Sequence, residues 1–185
     1  MNRMQSLCLR YMGIASVALW VTACKVPEDP QVPDPNAAES ILPGITVLQN
    51  ATELDTAQAA QPSQPFSLCN LESLDNHPFG AEPYYVPATP GNVELGGWMG
   101  ASAAGELSRS PMVILKQEGG ARTWTIPITY NTPRPDVAAD RGIPALRRGG
   151  FRVLMDLSTL PPGVYHVLLG DGIQFNCDNG RRLKF

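Results

Sequence analysis

Thr123-Trp124-Thr125-Ile126-Pro127-Ile128-Thr129-Tyr130 alternates with a period of two. Trp124, Ile126, Ile128 and Tyr130 share one face, and Thr123, Thr125 and Thr129 share the other. A strand projects successive side chains to opposite faces, so this pattern predicts a strand with one buried side. Pro127 falls on the outer face. It lacks a backbone donor, which points to a sheet edge or a bulge.

The same pattern recurs on both sides of this stretch. Downstream, Phe151, Val153, Met155 and Leu157 repeat it, with Arg152 and Asp156 opposite. After the turn Pro161-Pro162-Gly163, Tyr165, Val167 and Leu169 repeat it again. Asp171-Gly172 turns the chain into a run over 173–177. Asp178-Asn179-Gly180 reads as a hairpin turn, because Asn-Gly accepts the positive φ of a type I′ turn. Residues 181–185 would then close the sheet. Upstream, strand-like runs cover 66–74, 92–99 and 112–116, and Gly96-Gly97 marks a bulge or a close backbone approach. Seven or eight short strands with almost no helical period predict an all-β fold. The expected architecture is an antiparallel immunoglobulin-like β-sandwich over 66–185, with a small β-barrel as the alternative.

Ahead of this domain the composition changes twice. Arg3 and Arg10 lie in a short basic head, followed by an uncharged apolar segment at 11–23. That segment is shorter than the roughly 20 apolar residues of a bilayer-spanning helix. A basic head, a short apolar stretch and small residues before a cleavage point read as a secretory signal. The segment closes on Leu19-Trp20-Val21-Thr22-Ala23-Cys24. Val21-Thr22-Ala23-Cys24 resembles the lipobox of bacterial lipoproteins. The resemblance implies a signal peptide over 1–23, cleavage before Cys24, and a lipid on Cys24 as the mature N-terminus. Lys25 stands where an Asp would signal inner-membrane retention, so the resemblance favours the outer membrane. An ordinary signal peptide with a chance Cys is the alternative.

Residues 24–65 hold Pro27, Pro30, Pro33, Pro35, Pro43, Pro62 and Pro65 among Gln, Ala, Ser and acidic residues. Pro removes donors and keeps the chain extended, so this stretch reads as a flexible tether. About 40 residues in polyproline geometry would reach on the order of 120 Å, and as a coil about 35 Å. The apolar island Ile45-Thr46-Val47-Leu48 reads as a transient cluster, with an edge strand or a partner contact as the alternatives, and 53–60 could form one or two helical turns, marginal alone.

The chain's net charge is −3, and loss of the signal segment would remove two cations. A mildly acidic protein without basic runs excludes a nucleic-acid partner. It also excludes electrostatic adhesion to anionic lipid, so membrane contact would come through the lipid on Cys24. Cys8 would leave with the signal, which leaves Cys69 and Cys177. In an exported protein this pair reads as one disulfide joining the first strand to a late one. Such a bridge differs from the usual inter-sheet bridge of an immunoglobulin domain. Two Cys without a CxxC or a His pair do not make a zinc site, and no metal or cofactor is expected.

Between the strands lies Arg134-Pro135-Asp136-Val137, closed by Gly142. Pro135 and Asp136 can start a short helical turn, with Asp136 capping it and Gly142 ending it. Arg134 can pair with Asp136 or Asp140, or bond the carbonyls of the next strand. The series Gly97-Trp98, Arg134-Pro135-Asp136-Val137, Gly150-Phe151 and Pro162-Gly163-Val164-Tyr165 resembles a non-catalytic β-sandwich module. Such modules are attached to bacterial envelope proteins and glycosyltransferase-type enzymes. The resemblance spans roughly residues 92–169 and departs at Met99, where Ala is common. It implies a fold and gives Arg134 and Asp136 a structural role.

His77 and His166 are the only histidines, and no G-x-S-x-G, H-E-x-x-H or phosphate loop is present. Asp75, Glu82 and Glu94 read as solvated loop acids. The chain is therefore read as a non-enzyme. Tyr84-Tyr85 and Trp98 are the candidate ligand-binding aromatics, while Trp124 belongs to the core. The expected function is a membrane-anchored envelope lipoprotein whose sandwich binds or organises another envelope component, an envelope protein or a polysaccharide. The alternative is an accessory carbohydrate-binding module for a polysaccharide.

Overall fold

The computed structural model describes residues 46–62, 64–65, 67–79, 84–85, 91–172 and 175–185, with Tyr84, Tyr85 and Phe175 described as backbone alone. The expected signal segment, Cys24 and the first part of the expected tether lie outside the described residues. The strands, in chain order, are β1 (Leu48–Asn50), β2 (Thr52–Glu53), β3 (Gln64–Pro65), β4 (Cys69–Leu74), β5 (His77–Pro78), β6 (Tyr84–Tyr85) and β7 (Asn92–Met99). They continue with β8 (Pro111–Gln117), β9 (Thr123–Pro127), β10 (Tyr130–Thr132), β11 (Gly150–Asp156), β12 (Val164–Asp171) and β13 (Phe175–Lys184). Two short helices, α1 (Thr56–Ala59) and α2 (Pro135–Arg141), and a 3-10 turn at Pro144–Arg148 complete the described elements.

The strands form two sheets. The first runs β1-β11-β7-β4-β5, with β10 beside β1 on the outer edge of β11. The second runs β2-β9-β8-β12-β13-β3, with β6 further along the same edge of β13. The long strands pair antiparallel, whereas β1 on β11 and β3 and β6 on β13 pair parallel. The sheets are thus mixed, not purely antiparallel as expected. The parallel members are two- and three-residue segments laid along edge strands.

Both sheets feed one core. Leu71, Val93, Leu95, Phe151, Val153 and Met155 enter it from the first sheet. Val113, Leu115, Ile126, Tyr165, Val167 and Leu169 enter from the second. These are the alternating positions of the sequence pattern, and each fully buried large side chain contributes roughly 1.5–3 kcal/mol. Tyr165 is fully buried and meets Trp124 and Phe185 edge to face, with centroids 5.6 and 5.5 Å away. Its hydroxyl donates to the Pro161 carbonyl at 2.5 Å, which satisfies the polar tip of a buried ring.

Cys69 and Cys177 are joined by a disulfide. It ties β4 to β13, and so the first sheet to the second. The expected pairing is present, but the bridge does cross between the sheets.

Three expectations change. The run at 123–130 is not one strand. β9 ends at Pro127, where the ladder loses its donor, and β10 continues in the other sheet. Ile128 stays buried through the crossing, so the period of two survives while the hydrogen-bond partner changes. Asp178-Asn179-Gly180 is not a hairpin. It lies inside β13, where the register against β12 shifts between His166 and Leu168. Gly180 has φ +69°, and the Asn-Gly backbone serves a bulge here.

The third change concerns the start of the domain, expected at residue 66. Among the described residues, sheet pairing begins at Leu48. β1 lies on the first sheet and β2 on the second, so the chain crosses from one to the other at Ala51. The Leu54 N–H donates to the Thr123 carbonyl at 2.8 Å, and Glu53 and Arg122 form a two-pronged ion pair at 2.6 Å. α1 follows with a capping box between Asp55 and Gln58. This segment covers Thr123, which is buried although it sits on the outer face. Proline content alone does not reveal pairing of three residues and two residues at sheet edges.

Candidate functional site

The pieces of the Arg-Pro-Asp-Val motif, far apart in the sequence, meet at one end of the first sheet. β11 pairs with β7 so that Gly150 lies opposite Trp98 and Phe151 opposite Gly97. Arg134 is the N-cap of α2, Pro135 follows it, and Gly142 ends the helix at φ +66°. Asp136 sits inside the first turn and is not the cap residue expected, because the chain enters helical geometry one residue earlier, at Pro135.

The Arg134 side chain crosses Gly150 to reach β4. A Cβ on Gly150 would run into the Thr132 carbonyl and the Arg134 stem, so only Gly fits beneath that crossing. Gly97 has a similar role against the Asn70 carbonyl and the Phe151 ring. The Arg134 guanidinium donates to both carboxylate oxygens of Glu72, at 2.6 and 3.0 Å. It also donates to both oxygens of Asp136, at 3.0 and 2.7 Å. Two bidentate grips use a planar fork fully, which Lys cannot do.

The charges respond accordingly. The hydrogen bonds from Arg134 hold the Asp136 carboxyl down to about 2. The carboxylate of Asp136, joined by that of Glu72, pushes the Arg134 guanidinium above its ordinary range. The expected pairing with Asp136 is present. Glu72 was not singled out in the sequence, where it is simply a polar position of an alternating strand, and no spacing rule links it to Arg134.

Trp98 is 3% exposed and packs with Val137, Ala138 and Leu146 in a second small core, with Leu68 and Ile143 around it. Its ring is packing, with the Arg141 guanidinium 5.6 Å from its centroid, and is not an open stacking platform. Tyr84 and Tyr85 form β6 against Arg182 and Leu183, and their side chains lie outside the description. Cys24 lies outside the described residues. His166 is half-buried, 3.9 Å from Glu118, and His77 is exposed on β5. They lie on different sheets. Asp75 accepts a hydrogen bond from the Glu94 N–H at 2.8 Å, and Glu94 pairs with Arg152 at 2.7 Å. Among the described residues, no group of three His, Cys, Asp or Glu is arranged to hold a metal ion.

A pocket of about 320 Å³ opens between β4, the end of β7 and α2. Asn70, Glu72, Trp98, Asp136, Asp140 and Arg141 line it. This is the candidate functional site, and of the residues singled out in the sequence it gathers Trp98, Arg134 and Asp136. No family model, curated protein or solved structure matches the chain.

Proposed function

We propose that this chain is a lipid-anchored protein of a bacterial envelope that displays its β-domain to bind or organise another envelope component. The observation that carries the reading is the bridge between Cys69 and Cys177. A disulfide persists where the surroundings are oxidising, outside the cytosol. That agrees with the export signal and the lipobox resemblance at Val21-Thr22-Ala23-Cys24. In this reading Cys24 carries the acyl chains, and the proline-rich residues before Leu48 hold the domain away from the bilayer.

The finer reading of the fold is an immunoglobulin-like sandwich. Two observations support it. Strands β4, β7, β11 and β10 in one sheet, and β9, β8, β12 and β13 in the other, follow the order A-B-E-D and C′-C-F-G. Tyr165, near the start of the F-equivalent strand, bonds back to Pro161 as in a tyrosine corner. The disulfide departs from the pattern, joining the A and G equivalents instead of B and F.

The test is metabolic labelling with a palmitate analogue in cells expressing the chain and its Cys24→Ala variant. The proposal expects label on the parent and none on the variant. Equal labelling, or none on either, contradicts it.

A further inference from the structure

We infer that the segment ahead of β4 is a latch that sets the length of the tether. It opens while the rest of the domain stays folded, and the bridge between Cys69 and Cys177 stops the opening. The segment consists of β1, β2, α1 and β3. β1 lies on the first sheet, and β2 lies on β9 at one edge of the second. β3 lies on β13 at the opposite edge of that second sheet. Between them, Leu54, Gln58 and Ala59 share a crevice with Ile114 and Thr123.

The latch holds weakly because it buries little. No described residue of the segment is buried, and Leu54 and Ala59 are half-buried. Apolar burial is the main term that keeps an element in place. The three strands are three, two and two residues long. The four residues of α1 would not hold a helix alone. The Glu53–Arg122 ion pair is exposed on both partners, and such pairs contribute little. The body of the domain is held differently, with Cys69, Leu71 and Leu74 of β4 buried in the main core. Ile114 is the seat of the latch. It is 3% exposed yet belongs to neither core, because it points to the outer face while Val113 and Leu115 point inward. Among the segment's described residues, Ala51 alone packs against the main core, from its margin. Opening the latch therefore bares Ile114 and leaves both cores in place.

Elements with few buried apolar contacts open at the lowest free energy in a folded protein. A pull from the N-terminal side meets β1, β2, α1 and β3 in that order, each seated on a different part of the domain, so the contacts fail one after another. It then meets Cys69, which is bonded to Cys177 on β13. In polyproline geometry the chain from Cys24 to Leu48 would reach about 75 Å, and from Cys24 to Cys69 about 140 Å. The latch thus gives an anchored domain two reaches. The reach rests on the lipid proposed at Cys24, whereas the opening does not. Hydrogen exchange reads the opening whether or not Cys24 is acylated, so the two readings fail separately.

The experiment is native-state hydrogen exchange on the full chain in detergent micelles, read by mass spectrometry with residue-level fragmentation. The reporter is the Leu54 amide, which donates to the Thr123 carbonyl. The inference expects it to exchange at least about a hundredfold faster than the amides of β12. Leu54→Ala thins the contact with the seat, so it should speed exchange at residue 54 about tenfold and leave β12 unchanged. In the variant with Cys69→Ala and Cys177→Ala, the amides of Cys69–Leu71 or its replacement should lose more protection than those of β12, because the opening then runs on into β4. Exchange at Leu54 as slow as in β12 overturns the inference, since the segment then opens only with the whole domain. So does a Leu54→Ala variant that changes both sites alike or neither, or equal losses in β4 and β12 without the bridge.

Discussion

Asn179 bonds Leu71 across the gap between the two sheets: its side-chain carbonyl accepts the Leu71 N–H at 3.1 Å. Its amide donates to the Cys69 carbonyl at 3.3 Å. The strand stretch that it serves, Cys69–Leu71, has β7 on one side and, among the described residues, no strand on the other, since β5 pairs further along, at Ser73 and Leu74. The bulge in β13 brings Asn179 to that open edge beside the disulfide. A side chain thus completes the backbone pairing that a neighbouring strand would have made.

Asn179→Ala should therefore leave a part-buried N–H and carbonyl unpaired. The expected cost is about 1–3 kcal/mol, read as a lower denaturation midpoint with an unchanged slope. A variant as stable as the parent would show that water replaces the amide at no cost.

The bridge between Cys69 and Cys177 closes a loop across a sequence separation of 108. By loop-closure entropy, replacing both cysteines with Ala should cost on the order of 4 kcal/mol. Since Asn179 acts on the same edge, the double-cysteine variant and Asn179→Ala should not add. Denaturant unfolding of the three variants measures this, and strict additivity would mean that the two devices act independently.

Arg134 gives a pH-dependent prediction. Asp136 is held down to about 2 in the fold, below the roughly 3.9 of an unfolded Asp. A depressed carboxyl stabilises the fold above the unfolded value and loses that contribution as pH falls through the folded value. The parent should lose stability between about pH 4 and pH 2. Arg134→Met should lose less over that window, although it is weaker at neutral pH by about 1–2 kcal/mol. Because Asp136 is well exposed, added salt should shrink the difference. Melting curves at pH 7 and pH 2, at low and high salt, read both effects.

Gly150→Ala tests the crossing of Arg134 over β11. The added methyl meets the Thr132 carbonyl and the Arg134 stem, and backbone cannot move aside as a flexible side-chain end can. The expected loss is about 1–3 kcal/mol or more, as for overpacking elsewhere. Restoring stability with Arg134→Ala in the same chain would identify the stem as the obstacle.

The sequence pattern reads the buried faces well. Phe151, Val153, Met155, Tyr165, Val167 and Leu169 are buried as their alternation predicts, because one face of each strand must leave water. What alternation does not carry is the identity of the hydrogen-bond partner. Trp124 and Tyr130 keep the period while the chain changes sheets, and β1 and β2, three and two residues long, join two sheets across the single residue Ala51. Asn179-Gly180 has the backbone preference of a hairpin turn, yet the same positive φ serves a bulge. In the candidate site, Arg134, Asp136 and Trp98 stand out by motif. Asn70, Glu72 and Arg141 come to them through strand register and helix packing, which no local spacing encodes.

Mass spectrometry of the protein recovered from cell membranes, digested without reduction, tests the central claim most directly. The account predicts an N-terminal peptide that begins at Cys24 with acyl chains attached, together with a peptide pair linked through Cys69 and Cys177. An N-terminal peptide that retains residues 1–23, with an unmodified Cys24 and free thiols at Cys69 and Cys177, would contradict it.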